Sequence, residues 1–196
     1  MSYMLPPVES LSSISRPDQV ETLAHLFEPC DTLSTFIIDN ILTHASYNPF
    51  TSYRQFIEKV REELRLFLTN EEKQSQTTKQ PIDPRISKII AAHPRLGGSS
   101  KATNTNLSQH SSAEQKSLQA SSQEESEQLI KLNDLYETTF PGLRYVVFVN
   151  GRSRAVIMEN MKERIHRNNI QLERIEAFEA MCDIALDRAR KLGGKL

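Results

Sequence analysis

The sequence predicts an all-α fold, a single-domain helical bundle with one extended connecting segment. Three observations carry that prediction. Apolar residues recur at a 3.6-residue period along most of the chain, and residues that open or close helices stand at the edges of those stretches. One run alone, residues 145–149, has the β-branched and aromatic make-up of a strand, and no second such run lies near enough to pair with it.

Pro17 suits a first helical turn, and Val20, Leu23, Leu26 and Phe27 follow at helical spacing until Pro29 ends the pattern. Asp31 is a plausible cap for the next helix, whose buried stripe is Leu33, Phe36, Ile37, Ile41 and Leu42, stopping before Asn48-Pro49. From Ser52, a third helix carries Phe56, Ile57, Val60, Leu64, Phe67 and Leu68 on one face, with Arg54, Lys59, Arg61, Glu62 and Glu63 on the others. Residues 70–84 are polar and hold two prolines, so they read as an exposed connection. A short helix over 86–92 then delivers the chain to His93-Pro94, where proline disfavours helical geometry at the preceding residue.

Residues 98–109, rich in Gly, Ser, Thr and Asn, read as a flap-like loop. A long helix is expected over 112–139, apolar at Leu118, Leu129, Leu132, Leu135 and Tyr136, with a polar middle prone to break. Residues 145–149 must satisfy their backbone outside any sheet; Gly151 ends them, and Ser153 caps a helix carrying Val156, Ile157, Met161 and Ile165. The last helix has a stripe of Leu172, Ile175, Phe178, Cys182, Ala185, Leu186, Ala189 and Leu192, closed by Gly193-Gly194.

The chain has 196 residues, enough for one well-buried core, and no internal repeat; 1–16 read as an N-terminal tail and 17–196 as one helical domain. A formal net charge of −1 argues against a nucleic-acid partner, and Arg152 and Arg154 read as a solvated face. No apolar run reaches the roughly 18 to 20 residues that cross a bilayer, and the N-terminus lacks the pattern of a secretory signal, so no membrane partner is expected. Two distant cysteines, Cys30 and Cys182, read as buried and inert thiols in a reducing compartment. Gly194-Lys195-Leu196 differs from the Ser-Lys-Leu peroxisomal address at its first position, which leaves a peroxisomal or cytoplasmic location.

Of five histidines, His25, His44 and His166 fall within helical patterns, and His110 lies in polar surroundings without an obvious partner. His93 differs, because Pro94 fixes its exit and Gly97 and Gly98 follow, a context in which backbone can approach a ligand closely. Ser111-x-x-Glu114 fits a capping box; alternatively Ser111, Glu114 and Gln115 line an anion-binding helix start. Arg188 flanks the apolar stripe of the last helix and so needs an acceptor, either a carboxylate such as Glu179 or Asp183 or a ligand oxygen. No His, Cys or acidic residues show metal-ligand spacing, and no metal is predicted.

Taken together, His93-Pro94-Arg95-Leu96-Gly97, Ser111-x-x-Glu114-Gln115, the run over 145–149 leading into Gly151-Arg152-Ser153-Arg154, Glu163-Arg164-Ile165-x-x-Asn168, Asn48-Pro49-Phe50 and the helix of Arg188 resemble the OHCU decarboxylase family. The resemblance implies an all-α, often homodimeric carboxy-lyase that takes a small anionic substrate, needs no cofactor, and converts 2-oxo-4-hydroxy-4-carboxy-5-ureidoimidazoline to S-allantoin in urate breakdown. It implies catalysis by His93 and Glu114, and substrate contacts from Pro94, Ser111, Gln115, Val147, Val149 and Arg188.

On that basis His93 is expected to handle a proton, with Glu114 fixing its tautomer and favouring its charged form. Arg188 is expected on a ureido or ring oxygen, because clamping the departing carboxylate would stabilise the ground state. The chain departs from the family in having no tryptophan and in the sequence Phe140-Pro141-Gly142-Leu143-Arg144 before the extended run, departures that bear on the pocket wall. Two alternatives stand beside this reading: a non-catalytic helical scaffold, and a decarboxylase of a related ureido or imidazoline acid.

Overall fold

A computed structural model describes residues 3–45, 49–97, 110, 112, 114 and 122–196. Seven α-helices are found among them: α1 (Arg16–Leu26), α2 (Asp31–Ile37), α3 (Tyr53–Thr78), α4 (Pro84–Ala91), α5 (Gln123–Thr139), α6 (Arg154–Arg167) and α7 (Ile170–Lys191). A 3-10 turn at Val8–Ser10 precedes α1, and a π-helical turn at Ile38–Leu42 prolongs α2. No strand forms among the described residues, and the predicted all-α class holds. The long helices α3 and α7 make the most extensive pairing, with α1 and α4 laid against α7 and α6 against α5.

Most helix starts follow from short polar residues whose side chains accept an otherwise orphaned amide: Ser15 for α1, Ser52 for α3, Asp83 for α4, Ser153 for α6 and Asn169 for α7. For α2 the cap is Cys30, whose Sγ accepts from the Leu33 amide at 3.5 Å, while the expected cap, Asp31, is the first helical residue. Helix α3 runs to Thr78, well into the stretch expected as a connection. Glu71, Glu72, Lys73 and Gln74 are strong helix formers that need no buried face, and the helix stops only where Lys79 turns left-handed.

The single helix expected over 112–139 is interrupted. Ser122 is extended and caps α5 by accepting from the Glu125 amide, while His110, Ser112 and Glu114 are helical upstream of it. Two residues expected in the stripe of α7, Leu172 and Ile175, and one expected in that of α6, Val156, are exposed; Arg61 of α3, expected on an outer face, is buried. The loop over 98–109, together with Asn48, Leu118, Ser111 and Gln115, lies outside the described residues.

The segment expected as a tail packs onto the body. Val8 and Leu11 are buried, the Leu5 amide donates to the Leu192 carbonyl, and the Tyr53 hydroxyl donates to the Pro6 carbonyl. At the other end, the Gly194 and Tyr53 amides donate to the carbonyls of Ala189 and Lys195, so Gly194 and Lys195 are tied to α7 and α3. No described helix is long and apolar enough to cross a membrane.

The extended segment 143–149 has no ladder, and arginines supply its missing partners. Arg164 donates to the Val146 carbonyl at 3.1 Å, and Arg152 donates to the carbonyls of Phe148 and Val149. Arg164 is itself held by Glu173, a carboxylate with no exposed surface that also accepts from Arg167 at 2.7 Å and from the Tyr136 hydroxyl at 2.5 Å. Burial alone would raise the Glu173 carboxyl, but Arg164 and the bonds from Tyr136 and Arg167 together outweigh it and hold the group below its usual range. Removing that carboxylate leaves the buried Arg164 guanidinium with only the partly exposed Glu176 carboxylate at 3.1 Å, so Glu173→Ala is expected to cost about 3 kcal/mol of stability. Urea unfolding of the two proteins measures this, and a change under about 1 kcal/mol would show that the network is not what fixes α5, α6 and the extended segment.

Candidate active site

The site begins where α4 stops. Its apolar face, Ile86, Ile89 and Ile90, is buried, and Pro94 prevents another turn, so His93 emerges from the helix end directly into the interior. Arg144 secures the backbone there by donating to the His93 carbonyl at 3.0 Å. The next residues are pinned to α5: Arg95 forks onto Glu137 at 2.7 and 2.8 Å and meets Asp134 at 2.9 Å, and Asn133 donates to the Leu96 carbonyl at 3.1 Å.

Gly97 is required for that fit, with a φ of +80° and a position where an added Cβ would lie 2.1 Å from a Leu129 methyl carbon. Its close approach is to Leu129 of α5; Gly98 lies outside the described residues. His93 is 5 % exposed, and its Nε2 has no hydrogen-bond partner among the described residues.

That ring forms part of the wall of a cavity of about 420 Å³, a volume suited to a small molecule. Glu114, Arg188 and Pro94 share the wall, as do Val147 and Val149 of the extended segment, so the structure brings together six of the eight residues expected at the site. The other two, Ser111 and Gln115, lie outside the described residues. The amides of Val147 and Val149 have no acceptor among the described residues. None of residues 140–144 lines the cavity; Phe140 and Leu143 belong to the core, so this departure from the family pattern falls behind the wall and not on it.

The arrangement of charges differs from the sequence expectation. Glu114 does not bond the imidazole: both its oxygens accept from Arg188, at 2.8 and 2.9 Å. Arg188, 2 % exposed, also donates to Glu28 at 2.8 Å and to the Phe27 carbonyl. Glu179 and Asp183, its expected protein acceptors, are taken by Arg61 instead. With its donors directed at protein oxygens, Arg188 is a girder between α7, the end of α1 and the turn of Glu114.

Glu114 does favour the charged form of the ring, as expected, but it is outweighed. Burial pushes His93 down to about 3, the Arg188 guanidinium adds to the effect, and the Glu114 carboxylate only partly opposes it. At neutral pH the ring is therefore neutral, able to accept a proton. At the cavity rim the order of charge is reversed: Asp187 is flanked by Arg190 at 2.8 Å and Lys191 at 2.5 Å, leaving one formal positive charge in excess.

Two wall or supporting residues were not singled out from sequence. Glu28 follows the C-terminal end of α1, where the helix dipole disfavours a carboxylate, and that violated preference was its one local signal. His110 was read as lacking a partner, yet it lines the cavity one helical turn before Glu114 and bonds His25 across 2.9 Å. The spacing of four residues to Glu114 was the available clue. Among the described residues, no group of three or more His, Cys, Asp or Glu side chains could hold a metal ion.

The comparisons agree with the geometry. No curated protein matches the chain. A family model described as OHCU decarboxylase matches residues 12–190, which include every described residue lining the cavity except Lys191. The chain belongs to the OHCU decarboxylase family, and its family places it among the decarboxylases of urate degradation.

Proposed function

We propose that the protein decarboxylates 2-oxo-4-hydroxy-4-carboxy-5-ureidoimidazoline and releases S-allantoin. The observation that carries this reading is the imidazole nitrogen of His93, buried without a protein partner on the wall of a small-molecule cavity in a chain of this family. A purely structural histidine at such a depth would be expected to bond a neighbour, which weighs against the non-catalytic scaffold.

The chemistry needs no external electron sink. As the bond from C4 to the carboxylate breaks, its electron pair forms a C4=C5 double bond, and the C5=N1 π pair moves onto N1. The enol then loses its hydroxyl proton, C4=O forms, and C5 takes a proton from one face, which sets the configuration. A neutral His93 suits that second stage, because it can accept the hydroxyl proton and return one to C5.

Summed over the reaction, N1 and C5 each gain a proton and the hydroxyl loses one, so each turnover consumes one proton from solvent. The amides of Val147 and Val149 donate to ring oxygens, where negative charge grows. Glu114, steadied by Arg188, accepts from the ureido N–H groups, and Pro94 lies against the ring. The exposed rim cations Arg190 and Lys191 attract the substrate anion, and solvent screening there keeps them from opposing loss of the carboxylate.

The direct test is to generate the ureidoimidazoline enzymatically from urate and follow its decay by absorbance and circular dichroism. Wild type is expected to accelerate the decay and give one enantiomer of allantoin, and His93→Gln to lose at least about a hundredfold in rate and the stereochemical bias. Turnover near wild type in a folded His93→Gln protein refutes the assignment.

Stability supplies an independent check on the neutral ring. Because the folded pKa lies below the unfolded one, the unfolded chain binds the extra proton, and the contribution of His93 is complete above about pH 6.5 and lost as pH falls toward about 3. Between pH 6.5 and 5, before carboxylates titrate, wild type is expected to lose about 1.5 kcal/mol more stability than His93→Gln. Equal slopes in urea titrations at the two pH values would place the ring's pKa near its ordinary value.

A further inference from the structure

The proton that each turnover consumes has no source in His93, which only moves a proton already on the substrate. A second group must bring one in. The inference that follows rests on the proposed decarboxylation and deepens it.

The structure offers one pair of groups with the required placement. His110 lines the same cavity as His93, and its Nε2 lies 2.9 Å from Nδ1 of His25 in α1. His25 is half-buried and stacks on Tyr3 with ring centroids 3.7 Å apart, so the pair extends from the cavity wall to the edge of the molecule under the N-terminal segment. No protein partner takes the second nitrogen of either ring among the described residues.

We infer that His110 and His25 form a two-imidazole relay that carries the consumed proton from solvent to the substrate nitrogen receiving the electron pair. In the handover, the Nδ1 proton of His110 passes to N1 of the substrate as carbon dioxide leaves. Nε2 of His110 takes the Nδ1 proton of His25, and Nε2 of His25 takes one from a solvent acid, a hydronium ion or protonated buffer, which leaves as water or buffer base. Three bonds to hydrogen break in the order in which three form, and both rings end as neutral tautomers. The next turnover requires their second nitrogens to be exchanged, through ring rotation or return of the protons by water.

Charges around the pair favour a concerted passage over a standing imidazolium. His110 faces Arg188 and His25, which oppose its protonation, and Glu114 and Glu28, which favour it; His25 faces Glu21 and Arg188. Burial acts first on both rings and holds each below the ordinary histidine value. Two neutral rings joined by one shared hydrogen bond are what such a site sustains at neutral pH.

The alternative is that the bond between the rings only fastens α1 to the cavity wall, and chemical rescue separates the two. His110→Ala and His25→Ala are assayed for turnover of the ureidoimidazoline at increasing imidazole concentration, with thermal melting to confirm folding. Each is expected to lose at least about tenfold in kcat with KM little changed, to recover in proportion to added imidazole, and to go on producing S-allantoin, since C5 is protonated by His93.

His110→Gln and His25→Gln, which keep a polar side chain at each position without a proton shuttle, are expected to be as slow as the alanine variants. Activity within about twofold of wild type in the glutamine variants, or a loss that imidazole does not restore in folded alanine variants, overturns the relay. If wild type itself fails to accelerate the decay, the decarboxylation reading has failed instead, so the two failures are distinguishable.

Discussion

A buried guanidinium keeps its charge only where acceptors surround it, and Arg188 meets that condition with three acceptor residues on two separate stretches of chain. It joins Glu114 through two bonds, Glu28 through one, and the carbonyl of Phe27 where α1 ends. The cavity lies over this cluster. Each acceptor is far from Arg188 in sequence, so the bonds form only once α1 and the helical turn of Glu114 have both packed on α7. The same cluster that closes the fold therefore sets the position of the carboxylate that the proposed chemistry uses.

Its second consequence is electrostatic. Two carboxylates and one guanidinium leave a formal negative charge beside His93, yet the ring is held neutral, because burial dominates and Arg188 counts for more than Glu114. A neutral imidazole suits a reaction whose first demand on it is to accept a proton. In the proposed reaction the anionic substrate is drawn instead by the excess of positive charge at the rim, where Arg190 and Lys191 remain solvated. Attraction at the mouth and proton handling at depth are thus assigned to different residues.

Much of the fold was legible because it is local. The apolar period and the caps located α1, α4, α6 and α7, and the strand-like run without a partner was correctly read as needing help from outside a sheet, which Arg164 and Arg152 give. The extra turns of α3 past Asn70 were missed because apolar period is not the only thing that sustains a helix; propensity suffices at the surface. Arg61 was misplaced because its long side chain reaches Glu179 and Asp183 on α7, a pairing that no local pattern encodes.

The site was legible in its members and not in its bonds. His93, Glu114 and Arg188 all line one cavity, but the sequence could not say that Arg188 would bond Glu114 and Glu28, or that His110 would meet His25. Such bonds depend on how α1, α7 and the segment of Glu114 converge, which is decided by packing across the whole core. The exposed Leu172 and Ile175 teach the same lesson in reverse, since their spacing is helical while the partner surface they would need is absent among the described residues.

The central claim is that a neutral, unpartnered imidazole faces a site for a small ureido ligand. Ring nitrogen NMR of His93, recorded from pH 4 to 8 with and without allantoin, addresses both halves at once. The account predicts the shifts of a neutral ring down to the lowest pH measured and a displacement of Nε2 when allantoin is added. A ring that titrates near its ordinary value, or an Nε2 signal indifferent to saturating allantoin, would contradict it.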